Sequence, residues 1–389
     1  MRSVSRSRWA AGVVTCGLLV LAACSNTDPA DTPRSSSGPA QSRSSALTPA
    51  GSTETASTAS AGPRPSSAPA PSTPPPSGTF TFAFAGDVNF EERTADRLAA
   101  GPETAFGVAK ESLSAADLTM VNLETAITNR GEKQPKSFTF RAPPGALDAL
   151  AYAGVDVATM ANNHAVDYGP VGLQDTLDAI ADSPVPVIGI GKNQQAAFAP
   201  YRRTVHGVRI AVFAATQVMD LTKERWSATE DSPGVANADR QQLVDDVRAA
   251  RKAGEVPIVY LHWGTEYEGC PDDPQRRLAD QLADAGAVAV IGTHAHVLQG
   301  AGWRADGVYV AYGLGNYLWW RSFGNEQDDN GVLTLTFVGP KVTAAVFAPS
   351  HLDDTGVPVP AAGKLKSTID AEWERVRACA ELSATPPKG

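Results

Sequence analysis

The sequence predicts an α/β domain built on a mixed sheet or on two packed sheets, and three observations carry that prediction. Short, β-branched, largely apolar runs recur along the folded part, as expected for strands covered on both faces. Several of these runs are separated by stretches with helical periodicity and recognisable start and stop residues. After Gly307 the pattern becomes almost wholly strand-like, with GVYVAYG, GVLTLTFVG and KVTAAVFAP in succession.

The first predicted strand is Thr79 to Ala85, followed by Asp117 to Asn122, Val155 to Met160, Val185 to Ile190, Arg209 to Ala214, Val256 to Leu261 and Ala287 to Ile291. Pro170 fits the first turn of a helix whose Leu173, Leu177 and Ile180 share a face. Asp239 is the expected cap of a helix carrying Leu243, Val247 and Ala250 and stopping near Gly254. Asp273 before Pro274 reads as a cap and N1 proline, with Leu278 and Leu282 inward and Gly286 past the end. The folded part is expected to run from Thr79 to Leu382 as one domain, with a disordered tail at 383–389.

The N-terminal portion is of another kind. Arg2, Arg6 and Arg8 precede an apolar run from Trp9 to Ala23. As a helix, such a run reaches about 22 Å, short of the ~30 Å hydrocarbon core, so a signal peptide over 1–23 is expected rather than a permanent span. Leu21-Ala22-Ala23-Cys24 resembles a bacterial lipobox, which implies cleavage before Cys24 and acylation of its thiol. Residues 24–78 are dominated by Ser, Pro, Ala, Thr and Gly and read as a disordered tether. These features together predict an extracytoplasmic, lipid-anchored location at the cell membrane. Cys270 and Cys379 then remain as one pair in an oxidising place, either joined as a disulfide or left as two free thiols. The formal charge of −9 argues against a general nucleic-acid binder.

Polar residues gather where the apolar runs end. Asp87 and Asn89 follow the first strand, Asn122 and Glu124 the second, and Asn162, Asn163, His164 and Asp167 the third. His262 and Glu266 follow VPIVYL, while His294 and His296 follow AVAVI. Four of the 6 histidines therefore fall in these loops. In open α/β sheets ligands bind beyond the carboxyl ends of strands. Carboxylate, amide and neutral imidazole without cysteine fit divalent-metal chemistry. His294 and His296 point to one face if the strand continues, or wrap two sides of a centre if it turns.

The ordered motifs GD-x-N, NLE, NNH-xx-D-x-G, HWG-x-E and H-x-H resemble those of the CapA family of capsule and poly-γ-glutamate synthesis proteins, related to the calcineurin-like metallophosphoesterases. The likeness covers roughly Phe80 to Phe347, including FRAP at 140–143 and GLGNY at 313–317. It implies a four-layer α-β-β-α sandwich of two mixed sheets and a centre of two divalent metal ions. Carried over, Asp87 and Asn89 serve the first metal, Glu124 bridges, Asn163 and His262 serve the second, and His294 and His296 complete the second and first. His164 takes the catalytic position, oriented by Asp167. Arg141, Asn122, Glu266 and Asn316 are assigned to substrate binding, Asn316 alternatively to a supporting hydrogen bond. Where the superfamily usually has His and Asp, this chain has Asn89 and Glu124, which favours Mn²⁺ or Mg²⁺, with Zn²⁺ or Fe as alternatives. The implied function is metal-dependent hydrolysis of a cell-surface polymer or phosphodiester, or else non-catalytic binding, anchoring or export of an anionic capsule polymer. The implied partners are that polymer, the membrane through the lipid anchor, and capsule-synthesis proteins, with no nucleic acid.

Overall fold

In a computed structural model of the chain, residues 78–218 and 220–388 are described; the expected leader, the lipobox cysteine and nearly all of the tether lie outside them. Two mixed sheets organise the domain. The first runs in the order Pro358–Pro360, Lys341–Leu352, Asp329–Val338, Thr79–Val88, Leu118–Leu123, Val157–Thr159, Val187–Ile188, with Asn316–Leu318 also paired to Thr79–Val88. Its Thr79, Leu118, Val157 and Val187 strands are mutually parallel. The second runs Ala301–Trp303, Tyr309–Ala311, Ala289–Thr293, Val256–His262, Val208–Thr216, Tyr201–Val205, and its four inner strands are parallel.

Period-two alternation explains the packing. Phe80, Phe82 and Phe84 enter the same buried cluster as Ile210, Val212, Ile258 and Tyr260, so the two sheets share one core. The alternate residues Ala83 and Ala85 join Leu98, Leu147 and Leu173, which come from the helices Glu92–Ala100, Gly145–Ala153 and Gly169–Ala181. On the second sheet, Phe213, Val259 and Leu261 meet Leu243, Val247, Leu278 and Leu282 of the helices Gln241–Lys252 and Asp273–Ala285. Each buried phenylalanine contributes roughly 1.5–3 kcal/mol of transfer free energy. Tyr260 ties the sheets together by donating its hydroxyl to the Ala85 carbonyl at 2.6 Å.

Some local expectations are corrected. Val185–Ile190 is not one strand. Val187–Ile188 and Ile190–Gly191 pair in different sheets, because Gly189 between them takes φ 83° and turns the chain. The helix at 273 is capped by Asp272, whose side chain accepts from Gln275 N–H in a capping box, so Asp273 is already helical. Asp239 does not cap its helix. Its carboxylate is drawn instead to Lys223 Nζ and Gln217 Nε2.

The C-terminal helix Gly363–Cys379 packs Ile369 and Trp373 into the core shared by the two sheets. A disulfide joins Cys379 to Cys270 across a sequence separation of 109. In the chain-entropy picture, closing such a loop removes about 5 kcal/mol of unfolded-state freedom. Ser383 exchanges both backbone hydrogen bonds with Trp303, so pairing continues past the expected boundary at 382. No helix among the described residues is long and apolar enough to cross a membrane.

Candidate metal centre

The carboxyl ends of the parallel strands in both sheets meet at one place. From the first sheet come Asp87, Asn122 and the loop residues Glu124, Asn163 and His164; from the second come His262, His294 and His296. Gly86 permits the approach at the head of the site. A Cβ there would lie 1.9 Å from the Gly315 carbonyl, whose oxygen takes the Asp87 N–H at 3.0 Å. The strand Ala289–Thr293 then stops, and His294 and His296 take φ 94° and 55°. The chain therefore turns, and the two imidazoles wrap the centre. Positive φ at a non-glycine residue costs of order 1–3 kcal/mol, and such strain collects at functional sites.

Two ligand groups overlap. Glu124, His294 and His296 offer ligand atoms within 4.8 Å of one another, and so do Asp87, Glu124 and His262. Glu124 belongs to both. It is fully buried, and neither carboxylate oxygen has a hydrogen-bond partner among the described residues. Its Oε1 lies 3.5 Å from His262 Nε2 and 3.8 Å from His164 Nε2. Burial, reinforced by the charges of Asp87 and Glu266, pushes its pKa well above the carboxylate range. Asp87 is likewise raised by burial, partly offset by the charge of His296 and by a hydrogen bond from Asn122. Burial, with the neighbouring imidazoles, depresses His262 and His294 well below the usual histidine value. Neutral imidazoles facing an unpartnered carboxylate suit a divalent cation, which supplies the missing charge and takes the lone pairs. The residues present therefore fit the implied metals.

A supporting hydrogen bond sets the His296 tautomer. His296 Nδ1 lies 2.8 Å from Asn316 Oδ1, an acceptor, so Nδ1 carries the proton and Nε2 keeps its lone pair. His262 Nδ1 lies 3.1 Å from Thr293 Oγ1 and 3.2 Å from Asn122 Nδ2, two groups that can both donate to it. His262 Nε2 faces Asn163 Oδ1 at 2.8 Å and His294 Nδ1 at 3.1 Å. Asn122 donates to Asp87 Oδ1 at 2.7 Å and accepts from Asn162 Nδ2 at 2.9 Å.

The flank is complete in itself. His164 Nδ1 lies 2.5 Å from Asp167 Oδ2. Asp167 is fully buried and also accepts from Lys136 Nζ at 2.8 Å and Phe140 N–H at 2.8 Å. Lys136 makes a second ion pair with Asp220 at 3.0 Å and donates to the Asn163 carbonyl. Burial lowers the His164 pKa, and Asp167 partly restores it. The Phe140 ring sits 4.2 Å from the His164 ring.

Asp87, Glu124, His262, His294 and His296 are thus brought into one group, with Asn163 against His262. Asn89 stands apart in its bonding. Its amide donates to the Glu124 carbonyl and its Oδ1 accepts from Glu91 N–H, so it fixes the backbone beside Glu124 and keeps one lone pair for a ligand role. Asn122 and Asn316, expected among the substrate-binding residues, are fully buried and occupied within the site, Asn316 in the supporting role. Arg141 is exposed, with its guanidinium 4.8 Å over the Tyr168 ring, and Glu266 is exposed. Lys136, Asp220 and Thr293 were not singled out in the sequence. A loop lysine in GEKQPKSF carries no periodicity that distinguishes it from a solvated one.

Residues 81–319 match the family model described as bacterial capsule synthesis protein PGA_cap. The PGA biosynthesis protein CapA of Bacillus subtilis is 29% identical over 252 residues, covering 63% of this chain and 65% of that protein. A probable polyglutamine synthesis accessory protein of Mycobacterium tuberculosis is 34% identical over 194 residues, covering 47% of this chain and 50% of that protein. The chain thus spans half to about two thirds of the length of these relatives. Among solved structures, a novel phosphatase of Mycoplasma pneumoniae overlaps with a TM-score of 0.45 at 15% identity, covering 71% of this chain and 95% of that one, a partial likeness of shape.

Proposed function

This chain belongs to the bacterial capsule synthesis protein PGA_cap family, and from that premise we propose that it is a metal-dependent hydrolase of the cell envelope acting on an anionic capsule polymer of the poly-γ-glutamate kind or on a phosphodiester. The observation that carries the reading is Glu124, a buried carboxylate with both oxygens unpartnered among imidazoles. A purely structural carboxylate at such depth is hydrogen-bonded, because leaving it unpaired costs several kcal/mol.

In this reading Asp87, Asn89, Glu124, Asn163, His262, His294 and His296 hold two divalent ions, with Mn²⁺ or Mg²⁺ favoured by the oxygen-rich set. Bound there, the ions supply Lewis acidity and a nucleophile at neutral pH. His164 presents Nε2 to the centre and, in its protonated form, gives a proton to the leaving group or stabilises the transition state. Asp167 holds Nδ1–H and so fixes that orientation. Cys24 carries the lipid, residues 24–78 form the tether, and the folded domain works outside the cytoplasm beside other capsule-synthesis proteins.

The second reading is a non-catalytic accessory that binds, anchors or helps export the polymer; the wording of the M. tuberculosis relative, an accessory protein, favours it. One set of assays separates them. The metal-stripped chain is given Mn²⁺, Mg²⁺ or Zn²⁺ and offered model phosphodiesters and γ-glutamyl polymers. His296→Ala is expected to lower metal content, and His164→Ala to spare metal and remove turnover. Polymer binding with no turnover under any metal would establish the accessory reading.

A further inference from the structure

The mouth of the site holds an arginine that the metal chemistry does not use. From His164 the ring of Phe140 leads at 5.8 Å to Trp320, and from His296 the ring of Trp319 lies at 4.9 Å. The next residue is Arg321. Its guanidinium stands 4.7 Å over Trp320, 5.2 Å over Phe138 and 4.5 Å over Phe323. Three consecutive residues then carry buried donors without partners among the described residues: Trp319 Nε1, Trp320 Nε1 and Arg321 Nε. Trp319 is 2% exposed, whereas Phe138 is 46% exposed and opens the platform to solvent.

A guanidinium stacked on aromatic faces directs its N–H edge outward; that of Arg321 reaches the Tyr267 hydroxyl on one side and leaves Nε without a partner among the described residues, and such an edge matches a carboxylate in a bidentate pair. Indole N–H groups can only donate. The set therefore asks for a ligand that is acceptor-rich beside the metal centre, anionic at Arg321 and apolar enough to lie on Phe138. A chain of carboxylates joined by amide carbonyls and methylenes meets all three demands. A phosphate-bearing polyol meets the charge but leaves the aromatic face against hydroxyls.

We propose that Arg321 is the specificity-determining cation of this site, taking a side carboxylate of an amide-linked polycarboxylate while the indole N–H groups of Trp319 and Trp320 take its carbonyl oxygens. This rests on the reading of the site as a polymer site and not on turnover.

The test titrates the purified full chain with a γ-linked glutamate oligomer, the γ-linked glutamine oligomer of equal length and a glycerol-phosphate oligomer. The wild-type chain is expected to prefer the glutamate oligomer over the glutamine one by at least about tenfold, the scale of a charge-assisted hydrogen bond. Arg321→Gln should remove that preference at unchanged metal content, Arg321→Lys should retain part of it, and Trp320→Phe should weaken both oligomers together. Equal binding of both oligomers by the wild-type chain, a preference intact in Arg321→Gln, or an Arg321 effect confined to the glycerol-phosphate oligomer would each overturn the proposal. A preference that follows Arg321 in a chain binding no divalent ion would leave this proposal standing and remove the hydrolase reading instead.

Discussion

Glu124 and Asp167 are both fully buried carboxylates on the same side of one site, yet their surroundings are opposite. Asp167 accepts from an imidazole, an ammonium and a backbone N–H. Glu124 accepts from nothing among the described residues. The protein can therefore satisfy a carboxylate at this depth with its own donors, and at the centre it does not. Around Asp167 the chain has built a finished ion-pair network. Around Glu124 it has left two carboxylate oxygens for which the described residues supply no donor.

The largest expected effect tests that contrast through metal binding. A cation at about a thousand times its dissociation constant stabilises the native state by roughly 4 kcal/mol. Mn²⁺ should raise the melting temperature of the wild-type chain and leave that of Glu124→Gln unmoved; an equal rise in both would erase the distinction between the two carboxylates.

Next is the flank. Asp167→Ala strands Lys136 and His164. Breaking a buried pair costs about 3–5 kcal/mol, and the remaining Lys136–Asp220 pair puts the expectation at the low end. Denaturant unfolding of the metal-free variant measures it, and a loss below 1 kcal/mol would mean the network is ornamental.

Third, Asn316→Ala frees His296 Nδ1 from its acceptor. Metal affinity should fall about 10- to 100-fold with the fold intact, as for other partners of ligating histidines. Calorimetric titration with Mn²⁺ reads this directly, and an unchanged affinity removes Asn316 from the supporting role.

The smallest effect has the opposite sign to ordinary mutational damage. In the metal-free chain Glu124→Gln should stabilise by about 1 kcal/mol at pH above the unfolded-state value, because the variant neither takes up a proton on folding nor holds an unpartnered charge. The pH dependence follows from the raised pKa of Glu124. Between the unfolded value near 4.5 and the raised folded value, the native state holds the proton more tightly, so wild-type stability falls as pH rises. The advantage of the variant should be absent below that window and appear as pH climbs through it. Thermal melts at several pH values check it; a constant offset would mean that Glu124 ionisation is not its source.

Much of the site was legible in the sequence. Apolar runs ending in Asp87, Glu124, Asn163, His262 and His294 marked the carboxyl ends of buried strands, and those ends do meet. What was not legible was partnership. Whether the Asn89 amide serves a cation or the Glu124 carbonyl depends on the rotation of one side chain, which residue type does not encode. His262 and Asn163 meet across 99 positions, and Lys136 finds Asp167 from a loop without periodicity. Asp272 displaced Asp273 as the cap for a similar reason, since two adjacent aspartates offer the same local signal and only the partner Gln275 decides.

The most direct measurement is the number of ions retained by the metal-stripped full chain after Mn²⁺ loading and desalting, wild type beside Glu124→Gln. The account predicts two Mn²⁺ per wild-type chain, since Glu124 belongs to both ligand groups and would be shared by the ions they hold, and fewer than one in the variant. A wild-type chain that retains none, or a variant that retains as many as the wild type, would contradict it.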